Sequence, residues 1–362
     1  MIVGIDARAA AEVPAGRGRL VRELLTALAA REDDHRYLLY CRAPWDEVAL
    51  DARFRWVEIG LPDPAWHAAA ALRGSRGCDV FLSTNSYLTA WMLRVPSVVV
   101  VYDMVAFMAG TRAQRRAARI ERATIGPALR RADRLACISR STESDLLRLF
   151  PRAAGKTAVI PLAADARFYE AQPSEQVAAR HGVAPGAYVL AAGTLEPRKN
   201  LLRLIRAHAA LAAPLRAAHP LLIVGPRGWE EQEILRAAGS EGVRLAGFVP
   251  DDELAALYAG CSVFCYPSLY EGFGLPVLEA MAAGAPVLTS NVSSLPEVGG
   301  EAVAYVDPED ERAIAAELDR LLSSPGERAR LGELARERAR GFSWDRLARG
   351  VLDELERARG SG

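Results

Sequence analysis

The chain has 362 residues, of which 51% are hydrophobic and 25% are charged, and it carries 45 basic and 45 acidic side chains. This length and apolar fraction suit two or three folded domains and exclude disordered and fibrous proteins. A net charge of zero argues against a nucleic-acid-binding protein that relies on bulk electrostatic attraction.

Neither the cysteines nor the N-terminus indicates an oxidising compartment. Cys261 and Cys265 are four residues apart, but no histidine or second cysteine pair follows at the spacing of a zinc site. The segment Met1–Asp6 has no basic flank before an apolar core, so it predicts no secretory signal. We therefore predict a cytoplasmic protein with reduced thiols.

In the first half of the chain, short apolar runs alternate with amphipathic stretches. Predicted helices include Gly18–Ala30, Arg112–Arg131 and Thr142–Phe150. The predicted strands are Ile2–Asp6, Tyr37–Cys41, Arg55–Ile59, Asp79–Ser83, Ser97–Asp103, Leu135–Ser139 and Ala158–Ile160. Continuous Val, Ile and Leu strands separated by helices predict a parallel sheet with both faces covered.

The alternation begins again after Glu170–Pro185, whose prolines and glycine make it the candidate linker. The second set of predicted strands is Tyr188–Gly193, Leu221–Gly225, Val243–Ala246, Ser262–Tyr266, Pro286–Ser290 and Val303–Val306. The predicted helices are Asn200–Leu211, Asp251–Ala259, Pro276–Ala283 and Glu309–Leu322, and the tail from Glu327 to Arg359 is helical with a break at Gly341–Trp344.

The predicted fold is therefore α/β, with two doubly wound Rossmann-like domains facing a central cleft and a C-terminal helical tail. We place the domains at residues 1–169 and 170–340, and the C-terminal helix at residues 341–362, where it can cross back to the first domain. Open α/β sheets bind ligands at the carboxyl ends of their strands. We expect the chemistry in the loops that follow strands in both domains.

The segment from Ser268 to Met281 has the pattern of a ligand-binding strand–turn–helix connection. Its glycines let the backbone pass close to a ligand, and the free N–H groups of a helix's first turn attract phosphate. Glu271 precedes the predicted helix and Glu279 is placed in its first turn, where each could accept hydrogen bonds from hydroxyls. The alternative is an ordinary connection with a capping glutamate.

A second segment, residues 193–200, places Arg198, Lys199 and Asn200 at the start of a predicted helix. Cations at a helix N-terminus are unfavourable by roughly 0.3–1 kcal/mol each, so a bound anion would explain them. Arginine offers a planar fork to phosphate oxygens and lysine a compact charge. The alternative is a solvated basic turn.

The loop after the first strand fails as a dinucleotide fingerprint. Gly16 comes ten residues after Asp6, and Val21 stands where a third glycine belongs. This failure disfavours a nicotinamide-dependent oxidoreductase, one of two rival functions.

Taken together, these motifs resemble those of the retaining glycosyltransferases of family 4, which have two Rossmann domains in the GT-B arrangement. The resemblance covers nearly the whole chain and is strongest from Tyr188 to Asp307. Its most specific element is the pair Glu271 and Glu279, separated by seven residues, and residues 193–200 are similarly typical.

The resemblance implies transfer of a sugar from a nucleoside diphosphate to an acceptor hydroxyl, with the first domain binding the acceptor and the second the donor. Arg198 and Lys199 would bind the diphosphate, and Glu271 would contact the sugar hydroxyls. The implied donor-binding residues are Gly16 and Gly193, the backbone near Phe248 for the base, Gly272, Phe273, Gly274 and Leu275 for sugar or phosphate, and Glu279 for the ribose.

No metal and no other cofactor is expected. Arg198, Lys199 and a helix N-terminus can neutralise the charge that develops as the diphosphate leaves. The resemblance implies a reaction on one face of the sugar, in which a donor phosphate oxygen accepts the acceptor's proton. Paired carboxylates of the kind that hydrolases use are then unnecessary.

The chain departs from the family pattern after its fifth strand. Tyr102 stands where many relatives carry histidine, whereas the adjacent Asp103 is kept. Asp103 is our candidate in the first domain for a contact to the sugar or the acceptor. Residues 161–165 also lack an asparagine that many relatives have, and neither change affects the predicted diphosphate site.

The segment Arg112–Arg134 carries eight arginines against Glu121 and Asp133. An exposed surface helix is the simplest interpretation. The alternative is peripheral contact with an anionic membrane that holds a lipid-linked acceptor, assisted by Trp91 and Met92 in a predicted loop.

We therefore predict a bacterial hexosyltransferase that builds a cell-surface or lipid-linked glycan. GDP-mannose is the first choice of donor and a UDP-sugar the alternative. A catalytically silent nucleotide-sugar-binding scaffold subunit is the remaining rival, and the joint presence of Arg198, Lys199, Glu271 and Glu279 argues against it.

Overall fold

The structure is a computed structural model, and it describes residues 1–13, 16–48, 50–84, 86–108 and 115–360. Within these ranges the chain forms two compact units. The first contains residues 1–107, 115–162 and 343–360, and the second contains residues 163–342. Among the described residues, no helix is both long enough and apolar enough to cross a membrane.

A seven-stranded parallel sheet forms the centre of the first unit, in the order β3-β2-β1-β4-β5-β6-β7. The strands are β1 Ile2–Asp6, β2 Arg36–Cys41, β3 Phe54–Glu58, β4 Val80–Ser83, β5 Ser97–Val101, β6 Arg134–Cys137 and β7 Thr157–Val159. The helices between them are α1 Arg8–Glu12, α2 Arg17–Ala29, α3 Ala65–Gly77, α4 Tyr87–Met92, α5 Arg115–Arg131 and α6 Arg140–Leu149.

The second unit has a six-stranded parallel sheet in the order β10-β9-β8-β11-β12-β13. Its strands are β8 Val189–Ala192, β9 Leu221–Val224, β10 Arg244–Gly247, β11 Val263–Tyr266, β12 Val287–Ser290 and β13 Ala304–Val306. Its helices are α7 Ala166–Tyr169, α8 Glu175–Arg180, α9 Leu201–Ala209, α10 Ala213–Ala218, α11 Gln232–Ser240, α12 Asp251–Gly260, α13 Leu275–Ala282, α14 Leu295–Gly299, α15 Glu311–Leu322 and α16 Pro325–Ala339.

Burial explains why these short segments form strands. Every residue of β4, β5, β8, β9, β11 and β12 is buried. In the second unit, Leu204 and Ile205 of α9 and Ile314 and Leu318 of α15 are fully buried against one face of the sheet. A sheet covered in this way needs apolar residues at successive positions rather than at alternate ones.

The last helix, α17 Trp344–Gly360, belongs to the first unit. It contacts α2 and strands β4 to β6. Ion pairs among the described residues help to hold it: Arg31 Nη1 lies 2.7 Å from Asp345 Oδ1, and Arg134 Nε donates to the buried Glu354 carboxylate at 2.5 Å.

Each sheet has one point where the strand order reverses. In the first unit it lies between β1 and β4, and in the second between β8 and β11. The connections that leave these neighbouring strands run to opposite sides, so a crevice opens at the carboxyl ends of the strands. Of the predicted site segments of the second unit, residues 193–200 follow β8 directly, and the segment from Ser268 to Met281 begins two residues after the end of β11.

The predicted α/β class is confirmed, with two doubly wound sheets and a C-terminal helix. All thirteen predicted strands are present with ends within two residues of the prediction. Three expectations were wrong. The candidate linker Glu170–Pro185 contains α8, Trp91 and Met92 lie in α4 rather than in a loop, and Arg134 belongs to β6 rather than to the arginine-rich helix.

Candidate active site

The loop after β8 brings two cations to the carboxyl edge of the second sheet. Gly193 has a φ of 134°, which an L side chain rarely adopts, and a Cβ placed there would lie 3.3 Å from Cε of Lys199. The short 3₁₀ turn Pro197–Lys199 follows, and Asn200 ends it in the left-handed region with a φ of 58°. The helix α9 begins at Leu201, one residue later than the predicted start at Asn200.

Lys199 lies in the centre of this edge and is almost entirely buried. Its Nζ donates to Oε1 of Glu271 at 2.7 Å and also to the hydroxyl of Tyr266. The same ammonium lies 4.9 Å from the centroid of the Tyr266 ring. Burial and the neighbouring Arg198 lower the pKa of Lys199, although Glu271 opposes this shift.

Arg198 contacts the same glutamate from the other side. Its Nη1 lies 2.7 Å from Oε2 of Glu271 and donates to the carbonyl of Tyr270 at 2.8 Å. Its Nη2 donates to Glu196 Oε1 at 2.5 Å. Despite its burial, Arg198 has a raised pKa because Glu271 and Glu196 lie beside it.

Glu271 therefore joins both cations. Its Oε1 accepts from Lys199 and, at 2.9 Å, from the Tyr266 hydroxyl, while Oε2 faces Arg198. Burial by itself would raise the pKa of this carboxyl, but Arg198 and Lys199 outweigh it and lower the pKa to about 2. Glu271 is thus ionised throughout the neutral range.

Backbone contacts fix the loop that carries Glu271. Leu269 N donates to the Arg198 carbonyl at 2.9 Å, which ties the two site loops together. Asn200 Nδ2 donates to the carbonyls of Pro267 and Pro308 at 3.0 and 2.7 Å. Glu271 N donates to Ser293 Oγ at 3.0 Å. Because these contacts come from the loops after β8 and β12, the protein itself holds the carboxylate in place.

The glycine-containing turn ends at the helix α13. Gly274 has a φ of 98° and precedes the first helical residue, Leu275, while Pro276 occupies the first turn. Glu279 is buried but lies in the second turn of α13, so its predicted place in the first turn was wrong. Phe273 is buried and packs edge-on against Phe342, at 5.9 Å between ring centroids.

Phe248 follows β10 at the same carboxyl edge of the second sheet, beyond β8 and β9. Phe248 is 68% exposed, more than any other large hydrophobic residue among those that the structure describes. An exposed aromatic ring at this edge can stack on a planar group.

The predicted site residues of the first unit lie at the carboxyl edge of that unit's own sheet. Gly16 precedes α2 with a φ of 55°. Asp103 follows β5, and its Oδ1 accepts from Val105 N at 2.9 Å. Tyr102, which stands at the histidine position, donates to the Thr84 carbonyl at 2.7 Å and lies under the Arg17 guanidinium. The tyrosine therefore joins the ends of β4 and β5.

Sequence reasoning missed Tyr266 and Glu196 as members of the site, and it missed the ion pairs of Glu271. Tyr266 is the last residue of β11, and a polar residue at the carboxyl end of a strand beside the reversal point was an available signal. Glu196 lies two residues before Arg198, but nothing in that spacing shows that its carboxylate turns toward the guanidinium.

Hydrogen-bonding capacity remains in the cluster. A lysine ammonium has three donors, and two of those of Lys199 are used. The arginine has five, and the contacts with Tyr270, Glu271 and Glu196 use three. The side chains of Lys199 and Arg198 are 10% and 19% exposed, so a ligand can reach part of each. An anion with several oxygens fits these remaining donors.

Several arginines of the segment Arg112–Arg134 already have partners within the protein, so fewer of them can contact a membrane than the sequence indicates. Arg122 Nε and Arg131 Nε donate to the carbonyls of Ala106 and Leu93, and Arg134 pairs with Glu354. Arg112 lies outside the described residues. Trp91 is 48% exposed and, with Arg94 and Arg130, lines a cavity of about 590 Å³.

Within the described ranges, no three His, Cys, Asp or Glu side chains are grouped so that they could hold a metal ion. All five cysteines are free, and burial raises the pKa of Cys41, Cys137, Cys261 and Cys265.

Family models of glycosyltransferases match residues in both units of the chain. Residues 14–168 match the family model described as Glycosyltransferase Family 4, and residues 178–338 match the model described as Glycosyl transferases group 1. The chain therefore belongs to the family 4, group 1 glycosyltransferases, as the resemblance of its motifs indicated.

The chain is similar to individual relatives and solved structures over different shares of its length. O-antigen chain mannosyltransferase B of Escherichia coli is 39% identical over 214 residues, which are 58% of this chain and 56% of that protein. Sucrose-phosphate synthase from Thermosynechococcus elongatus shares the fold over 100% of both chains, with a TM-score of 0.79 and 22% identity. The Anabaena protein HepE, solved with UDP and glucose, covers 98% of this chain and 99% of its own, with a TM-score of 0.75 and 18% identity.

The chain spans about half the length of the E. coli mannosyltransferase it matches, or 56%. The identities to the two solved structures are low, so those likenesses describe the fold alone.

Proposed function

We propose that this protein is a retaining hexosyltransferase that moves a sugar from a nucleoside diphosphate to a hydroxyl of a glycan or lipid-linked acceptor. What supports this function most is the buried cluster in which Glu271 lies between Arg198 and Lys199, at the strand reversal of the second sheet. The cluster holds two cations with unused donors at the edge where such sheets bind ligands.

The cluster suits a diphosphate leaving group. Glu196 and Glu271 balance the charges of the two cations, which makes the burial of the cations tolerable. When the bond to the sugar breaks, negative charge develops on the diphosphate, and the remaining donors of Arg198 and Lys199 can stabilise it. Donors fixed in advance in a site of low dielectric constant contribute most to such a step.

Glu271 has one further role in this proposal. A carboxylate has about four lone-pair positions, and three of those of Glu271 are used by Lys199, Tyr266 and Arg198. The remaining position can accept a hydrogen bond from one hydroxyl of the donor sugar. The same residue then orients the cations and the sugar relative to each other.

In the proposed reaction, one bond to the anomeric carbon breaks, one forms and one proton moves. The bond between the sugar's anomeric carbon and the diphosphate oxygen breaks, and its electron pair stays on the diphosphate. The acceptor oxygen forms the new bond to the anomeric carbon from the same face, and its proton moves to the departing phosphate oxygen. We propose that no metal ion takes part, because Arg198, Lys199 and the N-terminus of α13 can carry the charge compensation.

GDP-mannose is the proposed donor, with a UDP-sugar as the alternative. The name of the E. coli relative, a mannosyltransferase, supports mannose. The UDP and glucose with which HepE was solved support the alternative.

We assign the base contact to the loop at Phe248, the ribose contact to Glu279 and the sugar or phosphate contacts to residues 272–275. The roles assigned to Gly16 and Asp103 are likewise proposals.

A thermal-shift measurement with GDP, UDP, ADP and TDP tests the donor class, since a ligand that binds the folded state stabilises it by mass action. We expect GDP to raise the melting temperature most. Turnover with the matching sugar nucleotide then distinguishes an enzyme from a silent binding subunit: a stabilising nucleotide without transfer or donor hydrolysis would favour the scaffold.

We also propose a cytoplasmic location with peripheral contact to an anionic membrane. Exposed Trp91 and Met92 lie beside Arg94 and Arg130, and none of the described residues that line the cavity they share is acidic. Each basic residue near an anionic surface contributes about 1 kcal/mol. Sedimentation with vesicles of phosphatidylglycerol should remove the protein from solution, and Arg94→Ser with Arg130→Ser should prevent it; equal binding to phosphatidylcholine would contradict this.

A further inference from the structure

The first unit contains a cavity of about 260 Å³ at the carboxyl ends of β4 and β5. Val99, Val100 and Ile120 form apolar parts of its wall, while Arg17, Tyr87 and Glu121 supply polar groups. The volume is just below the roughly 300–1,000 Å³ of pockets for drug-sized ligands, so it suits a single small ring.

Ser83, Tyr102 and Thr124 also line this cavity and are hydrogen-bonded, whereas three of its polar side chains have no partner among the described residues. Among the described residues, the Arg17 guanidinium, the Tyr87 hydroxyl and the Glu121 carboxyl form no hydrogen bond or ion pair; Arg17 has only its contact with the Tyr102 ring, 5.1 Å from the centroid. Tyr87 and Glu121 are half-buried and Arg17 is exposed, and polar groups that are withdrawn from water are normally paired. Three that converge on one cavity without partners indicate a polar ligand.

The charges at the cavity favour an uncharged ligand. Arg17 contributes one positive charge, and Asp103 and Glu121 are close enough to act on its pKa. Burial and then Asp103 raise the pKa of Glu121 to about 7, against the effect of Arg17. Among the described residues that line the cavity, Arg17 is the cation and Glu121 the carboxyl group, and Asp103 lies near Arg17, so these groups leave no excess positive charge for a phosphate or a sugar acid.

From this geometry we infer that the cavity binds one neutral sugar ring of the acceptor, and that Glu121 and Tyr87 determine which sugar is accepted. This rests on the proposed glycosyl transfer. Ring hydroxyls would donate to Glu121 and accept from Arg17 and Tyr87, while the C–H face of the ring would contact Val99 and Ile120. Neither Glu121 nor Tyr87 was identified from the family motifs.

The test measures sugar binding separately from donor binding. Methyl α-mannoside, methyl α-glucoside and methyl α-glucuronide are titrated into the full chain and followed by saturation-transfer NMR. We expect a neutral glycoside to bind in preference to the glucuronide. Glu121→Ala and Tyr87→Phe should each weaken that binding about tenfold or more, because each change removes a hydrogen bond to the sugar.

Two further variants separate recognition from folding. Glu121→Gln keeps the volume and one acceptor, so it should retain part of the binding but change the ratio of mannoside to glucoside affinity. Glu32→Gln, an exposed glutamate of the same unit, should leave both affinities unchanged. A merely structural role of Glu121 would lower the melting temperature without altering that ratio.

The inference would be overturned if no neutral glycoside bound, if the glucuronide bound best, or if Glu121→Ala and Tyr87→Phe bound like the wild type. The nucleotide melting shift is recorded on the same samples. If neutral glycosides bind through Glu121 while no nucleotide stabilises the protein, the sugar site stands and the proposed transfer fails.

Discussion

The Nζ atom of Lys199 lies 2.7 Å from Oε1 of Glu271, and both side chains are at most 10% exposed. The partners come from loops after β8 and β11, which are neighbours in the sheet although 72 residues separate them in sequence. Because a buried lysine without a partner is costly, this contact links the stability of the second unit to the cation that we assign to the diphosphate.

Replacing Glu271 by Gln should destabilise the protein and abolish transfer. The change leaves Arg198 and Lys199 without their shared anion, and breaking a buried ion pair from one side costs about 3–5 kcal/mol. Denaturant unfolding measures this loss. Glu301→Gln, at an exposed position of the same unit, should change the free energy of unfolding by less than about 0.5 kcal/mol; equal effects of the two changes would refute the importance of the cluster.

The stabilisation from Glu271 should depend on pH in the acid range. Its folded pKa of about 2 lies below the ordinary value of 4.5, so the unfolded state takes up the proton first as the pH falls. The contribution is therefore fully present above about pH 4.5 and is lost between 4.5 and 2. The difference in free energy of unfolding between wild type and Glu271→Gln should shrink over this window. A constant difference from pH 6 to 3 would contradict the lowered pKa.

Gly193→Ala should damage the site through the backbone. A side chain at a φ of 134° is strained, and its Cβ would press on Cε of Lys199 at 3.3 Å. We expect a loss of stability greater than about 1 kcal/mol together with reduced turnover. Gly239→Ala in α11 is the matched control, because a Cβ there meets nothing within 4 Å and alanine favours a helix. Unchanged turnover in Gly193→Ala would count against the placement of Lys199.

Transfer should continue in excess EDTA and should give a product with the donor's anomeric configuration. The reason for the first expectation is that two side-chain cations and a helix N-terminus compensate the leaving-group charge. Coupled release of nucleotide measures turnover, and proton NMR of the first-formed product reports the anomer. Loss of turnover that Mg²⁺ restores, or an inverted product, would contradict the proposed mechanism.

The strands could be predicted because each is a continuous apolar run, as in Leu221–Val224. The helix α4 could not, since a six-residue helix such as Tyr87–Met92 has too few turns to show a period. The candidate site was visible as Arg198, Lys199 and Glu271, because glycines and rare residue types cluster in those loops. That Glu271 binds both cations was not visible, as it depends on β8 and β11 being adjacent in the sheet.

The most direct test of the diphosphate site is calorimetric titration of GDP and UDP into wild type, Lys199→Ala and Arg206→Ala, the last being an exposed arginine of α9. We predict that at least one nucleotide binds the wild type, that Lys199→Ala weakens it about 10- to 100-fold through the loss of a charged hydrogen bond, and that Arg206→Ala does not. Wild-type protein that binds neither nucleotide, or Lys199→Ala that binds as tightly as wild type, would show that the diphosphate does not rest on this cation.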